Sequence, residues 1–347
     1  MAELAKTCRV TQQDIALRAG VHRSTVSLAF KNDPSIPVQT KKRIHRIASK
    51  MGYSPDPMLS ALAAYRTRRR PATYHGTLAW IVNSAFDFHW QNSMHFSDYY
   101  RGAAARAPHH GYQVETFDLH AMGISTARLA GILRARNVDG LLLCPQPKAE
   151  MKMDFDWNRF STVTFGYSLL APRLHIVAAA HYRHMLQCLR EVRRLGYKRI
   201  GFVTDLVHDD RINHNFLAAY LADQLLVSSD AIPPLRADYK RSPELLAKWL
   251  KTHEPDVIVT GNDDILNFLG KAGVQVPGDL GVACVGLSSL NTQLTGMIED
   301  SEVIGQVATD FLVAMIQRGE RGLPEHPQRV IIEGRWVSGQ TLRKTMV

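Results

Sequence analysis

The densest group of potentially reactive side chains in this sequence is His208, Asp209, Asp210 and His214. Imidazoles and carboxylates at that spacing could ligate a metal, or they could belong to a loop at a polar cleft. The second reading fits the rest of the chain better. No phosphate-cradling Walker loop, GxGxxG, GxSxG elbow or HExxH helix occurs anywhere in the sequence. Cys8, Cys144, Cys188 and Cys284 lie far apart with no CxxC pair, so they read as reduced, mostly buried thiols and not as a disulfide or zinc framework. The chemistry within reach is recognition, without a cofactor, and not turnover.

The distribution of charge says what is recognised. The 347 residues carry a net charge of +10. Residues 1–75 hold 14 Lys and Arg against 4 Asp and Glu, which leaves 28 bases and 28 acids for the other 272 residues. A basic module for a polyanion is therefore joined to a neutral body with another task. An apolar content of 45% is that of a globular protein, and the length calls for two or three domains. No apolar run approaches the roughly 20 residues of a membrane helix, and MAELAKTCRV lacks a secretory apolar stretch, so a cytoplasmic location is expected.

The elements that position the basic residues can be read from their punctuation. Thr11 is an N-cap with Asp14 three residues on, Ile15, Ala16 and Ala19 form an apolar stripe, and Gly20 supplies a positive-φ turn. Arg23 to Phe30 reads as a second helix with Val26 and Phe30 on one face, broken by Asn32-Asp33-Pro34. A third helix, from about Val38 to Met51, turns Ile44, Ile47 and Ala48 inward and Lys41, Lys42, Arg43, Arg46 and Lys50 outward. Helix, glycine turn, helix and packing helix make a helix-turn-helix, whose second helix fits the major groove of DNA.

Asp56 then suits an N-cap and Pro57 a first helical position, opening two turns over Met58–Tyr65 that are too short to be stable alone. The Arg66–Arg70 run follows. From Thr77 onward strands alternate with helices: strands at 78–82, 113–117, 140–144, 161–165, 199–203, 256–260 and 282–285, helices at 99–110, 185–195, 213–226 and 302–318. Short apolar strands between helices mean a parallel α/β body, here long enough for two lobes, with ligands at the carboxyl ends of the strands. Trp336 falls in one late strand over 330–337.

The run Thr11-x-x-Asp-Ile-Ala-x-x-Ala-Gly-Val-x-x-x-Thr-Val-Ser followed by Gly52-Tyr53-x-Pro55 closely resembles the headpiece of the lactose-repressor (LacI/GalR) family. Val138-Asp-Gly-Leu-Leu-Leu, Leu195-Gly-Tyr-Lys-Arg-Ile-Gly-Phe and Val276-Pro-Gly-Asp-Leu-Gly-Val-Ala-Cys-Val-Gly resemble that family's core, a type I periplasmic-binding-protein fold. The resemblance implies three parts: a headpiece over 1–54, a hinge and basic linker over 55–75, and a two-lobed core of doubly wound parallel sheets over 76–347. It implies that Arg23, Ser24 and Leu28 face base edges, that Thr11, His22, Thr25, Ser27 and Lys31 touch phosphates, and that Met58, Leu59 and Leu62 belong to a helix wedging into the minor groove. Leu28 stands where the family commonly has Arg, and it can meet a thymine methyl but cannot donate to guanine.

For the core, the resemblance implies an effector, mostly a sugar or purine in this family, held by Asn83, Ser84, Phe86, Trp90, Tyr167, Arg211, Asn262, Asp263 and Ser288. Ala180 and Ser288 replace acidic residues usual in the family, which points to a less hydroxylated or anionic effector. The expectation is a DNA-binding transcriptional regulator, acting as a homodimer on a near-palindromic operator under control of a small molecule. The competing reading is a cytosolic sugar-binding or sugar-processing protein with an unrelated basic head.

Overall fold

The computed structural model describes residues 10–30, 33, 35–53, 76–83, 89–227, 231–288 and 293–343. Three helices form the basic segment: α1 (Gln12–Ala19), α2 (Arg23–Phe30) and α3 (Val38–Lys50). A complete capping box starts α1: Asp14 N–H donates to Thr11 Oγ1 (3.4 Å) while Asp14 Oδ2 accepts from Thr11 N–H at 2.8 Å. Gly20 ends α1 at φ +62°, a conformation that opens the tight turn into α2. Ile15, Val26 and Ile44, one from each helix, are fully buried together and make the small core. Phe30 is only half-buried, because its ring closes the edge of that core by stacking on Tyr53 at 5.3 Å.

The body has two six-stranded sheets. The first orders β13 (Arg329–Ile332), β7 (His175–Ala179), β5 (Ser161–Phe165), β3 (Gly140–Leu143), β1 (Gly76–Val82) and β2 (Tyr112–Asp118), all parallel. The second orders β14 (Arg335–Val337), β12 (Thr295–Ile298), β11 (Gly281–Leu287), β10 (Val257–Thr260), β8 (Ile200–Thr204) and β9 (Leu235–Arg236), parallel except for β14. A two-stranded ribbon pairs β4 (Met151–Lys152) with β6 (Leu169–Ala171).

Strand residues alternate between two cores, as the pleat requires: Leu78, Trp80 and Val82 pack on one face of the first sheet, Ala79 and Ile81 on the other. Helices α4 (Met94–Arg106) and α11 (Ser301–Arg318) cover the first of those faces, and α5 (Thr126–Ala135) covers the second. In the other lobe α6 (His181–Arg194) and α8 (Asn215–Val227) face α9 (Pro243–His253) and α10 (Ile265–Lys271) across the sheet. The short α7 (Leu206–Arg211) sits at the end of β8.

The chain crosses between lobes three times: from β7 into α6, from β12 into α11, and from β13 into β14. The last crossing corrects the single late strand expected over 330–337. Glu333-Gly334 divides that stretch, so Val330 pairs in the first lobe and Trp336 in the second. Cys144, Cys188 and Cys284 are free and buried, and Cys8 lies outside the described residues. No helix among the described residues is long and apolar enough to cross a membrane.

Candidate functional site

On the headpiece, Arg23 and Ser24 are exposed in the first turn of α2, and Thr25, Ser27 and Leu28 are half-buried behind them. That first turn carries no acidic side chain, so the positive end of the helix is uncompensated and suits an anion. His22 holds this end together: its Nδ1 accepts the Ser24 N–H at 3.3 Å and meets Ser24 Oγ at 2.8 Å. Thr11 is exposed, but its hydroxyl already donates to Asp14 Oδ2 at 2.7 Å, so any phosphate competes with the capping box. Lys42, Arg43, Arg46 and Lys50 are exposed along α3 and extend the positive surface. Lys31, Met58, Leu59, Leu62, Ser84 and Phe86 lie outside the described residues.

Between the lobes is a partly open cavity of about 140 Å³. The i, i+4 spacing of His95 and Tyr99 on α4 and the i, i+3 spacing of His208 and Arg211 on α7 bring two pairs of side chains to it from opposite lobes. His181 at the start of α6 and Glu299 after β12 come from two of the crossings. Phe96, Phe165 and Phe216 form apolar walls. Tyr167 lines both this cavity and a larger open cleft of about 1250 Å³ edged by Lys148, Arg173 and Arg329.

Glu299 is the anchor of the cavity. Its Oε1 accepts the Tyr99 hydroxyl at 2.5 Å and its Oε2 lies 3.5 Å from His181 Nε2. Burial pushes this carboxyl up, but His95 and His181 beside it and the Tyr99 hydroxyl together hold it well below the usual glutamate range. His95 also ties the lobes directly, with Nε2 3.1 Å from the Gly286 carbonyl and Nδ1 2.9 Å from Ser301 Oγ. Burial pushes His208 down to about 4, and its Nε2 has no hydrogen-bond partner.

Of the residues singled out from sequence, Tyr167 and Arg211 line the cavity. Asn83 stands behind it, donating to Gln146 Oε1 at 3.2 Å, and Arg211 Nε donates to the Gln146 carbonyl at 3.2 Å. Trp90 is corrected: its indole is buried in the first lobe's core against Trp80 and Tyr100, filling space that a ligand face would need. Asn262 is buried with its amide donating to the Tyr239 hydroxyl at 2.6 Å, Ser288 is buried, and Asp263 is exposed; none of the three lines the cavity. His95, Tyr99, His181 and Glu299 were missed, whereas His208 lines the cavity as its placement at a polar cleft led one to expect. The Glu299 carboxylate also revises the expectation of a cleft without acidic groups. The one local signal for them was the helical spacing of each pair, which does not by itself say where a helix face points.

The polar cluster that opened the sequence reading splits in two. His208 turns to the cavity, whereas Asp209 Oδ2 accepts from His214 Nδ1 at 2.7 Å and from Arg236 Nε at 2.6 Å, and Arg236 also pairs with Asp210. A guanidinium thus already matches the two carboxylates. The segment is the helix α7 and its end, not a loop.

At the crossings, the buried His184 Nε2 accepts the Gly334 N–H at 2.7 Å, and burial pushes this imidazole from the ordinary 6.5 down to about 4. A depressed histidine favours the neutral form when folded, so its contribution is complete above pH 6.5 and is lost as pH falls from 6.5 to about 4. The expected loss is about 3 kcal/mol per such group. Urea unfolding at pH 7 and pH 4.5 checks this: His184→Gln, which can still accept from Gly334, should remove part of the difference, with His208 and His175, which burial also pushes down, supplying more. An unchanged difference would assign the acid sensitivity elsewhere.

Comparison with known proteins adds the following. Residues 11–56 match the family model described as bacterial regulatory proteins, lacI family, and residues 189–342 match a periplasmic binding protein-like domain. The HTH-type transcriptional repressor CytR of Escherichia coli (strain K12) is 24% identical over 325 residues, covering 88% of this chain and 90% of its own. Among solved structures, the transcriptional regulator CelR in complex with cellobiose aligns at a TM-score of 0.54 and 19% identity, over 96% of this chain and 100% of its own. The lac repressor dimer bound to operator and the anti-inducer ONPF aligns at 0.54 and 16%, over 96% and 99%. At these identities the two structures speak for the fold.

Proposed function

Because the chain belongs to the LacI family of bacterial regulatory proteins, we infer that it is a sequence-specific DNA-binding regulator of transcription whose two-lobed core senses a small molecule. One observation carries the reading: a folded basic helix-turn-helix with Arg23 exposed on its second helix shares a chain with two lobes that have between them a cavity lined by Arg211, Glu299 and three histidines. CytR is a repressor, and the lac repressor structure is a dimer on its operator. By the same logic this chain represses as a homodimer, one α2 helix per half-site of a palindromic operator. The hinge over 55–75 would place Met58, Leu59 and Leu62 against the minor groove, where an apolar wedge partly unstacks a base step. CelR is seen with cellobiose, which supports a sugar-like effector here. The matched relatives regulate transcription and are not enzymes.

Selection of genomic fragments by the purified protein at about 0.15 M salt, where non-specific binding is suppressed, tests this. A palindromic motif is the expected result; recovery of salt-sensitive bulk DNA without a motif, with and without candidate sugars, would overturn it. Within that motif, Arg23→Ala should relax one base position by about 1–3 kcal/mol. Arg46→Ala, on the exposed face of α3, should instead weaken all sequences alike and reduce the salt slope by about 1. Identical behaviour of the two variants would mean that α2 is not the reading helix.

A further inference from the structure

The two charges in the cavity are not equally satisfied. Glu299 is matched by Tyr99, His95 and His181. Arg211 is half-buried, and the protein gives it little: Nε donates to the Gln146 carbonyl and the guanidinium carbon lies 4.8 Å from the Phe96 ring centroid. Among the described residues no carboxylate forms an ion pair with it. Asp205, at the start of α7, is already engaged, with Oδ1 accepting the His208 N–H at 2.7 Å and Oδ2 4.0 Å from Lys240. Burial lowers the Arg211 guanidinium, the direction expected of a cation short of a counter-charge. One turn away, His208 Nε2 is buried without a partner, as is Nδ1 of His181.

A buried guanidinium is stable when an anion occupies its planar fork, and a carboxylate fits that fork with two parallel hydrogen bonds. Building on the ligand-sensing reading above, we propose that the effector is a compact organic acid whose carboxylate pairs with Arg211. The Glu299 carboxylate repels the acid group and so fixes its orientation. Phe96 and Phe216 cover the carbon skeleton. The cavity, of about 140 Å³, takes a compact acid, and the Tyr167 side chain that it shares with the 1250 Å³ cleft leaves the far end of the ligand a way out.

The test titrates the full-length protein by calorimetry with galacturonate, glucuronate and gluconate, with galactose and glucose as neutral parents, and with galactose 6-phosphate. The expected result is that an acid binds about 30-fold or more tightly than its parent, and that Arg211→Gln, shown by circular dichroism to be folded, abolishes this preference. Should that variant not fold, Arg211→Lys keeps the charge without the fork and should weaken the acid about tenfold while leaving the acid ahead of its parent. A neutral parent binding as tightly as its acid overturns the proposal and leaves the sensing reading intact. Binding of the phosphate alone overturns the carboxylate. Failure of every compound to bind, with operator affinity unmoved, overturns the proposal and leaves the sensing reading to a ligand of another class.

Discussion

Gly305→Ala is expected to lower the thermal midpoint of the first lobe by about 10 °C. A Cβ on Gly305 would lie 2.0 Å from the Tyr99 carbonyl oxygen, and one on Gly102 would lie 2.0 Å from that of Glu302. Helices α4 and α11 therefore touch backbone to backbone at two reciprocal glycines. No side-chain rotation relieves such a clash, so the helices must part, and the packing of Ile304, Ala308 and Leu312 on the sheet is lost with them. An overpacking cost of about 3 kcal/mol, at roughly 2–4 °C per kcal/mol for a unit of this size, gives the shift. The pair Gly102→Ala and Gly305→Ala should cost less than the sum of the singles, because the first methyl already separates the helices. Scanning calorimetry decides, and a shift below about 2 °C for Gly305→Ala would show that the backbones are not in contact.

Glu299→Ala is the second change with a large expected effect, a loss of about 3–5 kcal/mol in urea unfolding. It strips a buried acceptor from the Tyr99 hydroxyl and from His181 at once. Glu299→Gln should lose less, since its amide oxygen still accepts from Tyr99. The sites also differ in what they disturb. Gly305→Ala acts through the α4 backbone and so displaces His95 and Tyr99 together, whereas Glu299→Gln leaves the helices in place and changes only the partner of Tyr99, His181 and His95. The response of operator binding to effector should therefore be altered by Glu299→Gln without loss of the helix packing. Stability of Glu299→Ala within about 1 kcal/mol of the parent would mean that water replaces the carboxylate.

The headpiece was legible in the sequence because its signals are local. Thr11, Asp14 and Gly20 act within one turn of where they stand, and the boundaries of α2 fell on Arg23 and Phe30. Strand β5, buried throughout with four of its five residues apolar or β-branched, was read to the residue. Thr295–Ile298 escaped because four residues containing a glycine carry no period, and His175–Ala179 because small alanines blunt its pattern. The cavity was the hardest part to read. Its polar residues come from five separate segments that only the tertiary fold brings together. Trp90 was misplaced for the converse reason: an indole near a strand end suits a sugar face, but here its neighbours Trp80 and Tyr100 enclose it.

The three crossings between lobes are laced to one another. Gly334 on the third gives its N–H to His184 on the first, and a Cβ there would lie 2.2 Å from the carbonyl of Ile298 on the second. Two bodies joined by one strap can swing, twist and slide; joined by three bound straps, they keep a single easy motion, opening about one axis. A ligand that moved one lobe on the other would then be reported to the rest of the chain as a change in one angle. Substitutions at Gly334 would change the stiffness of the clamp without touching either the ligand or the DNA.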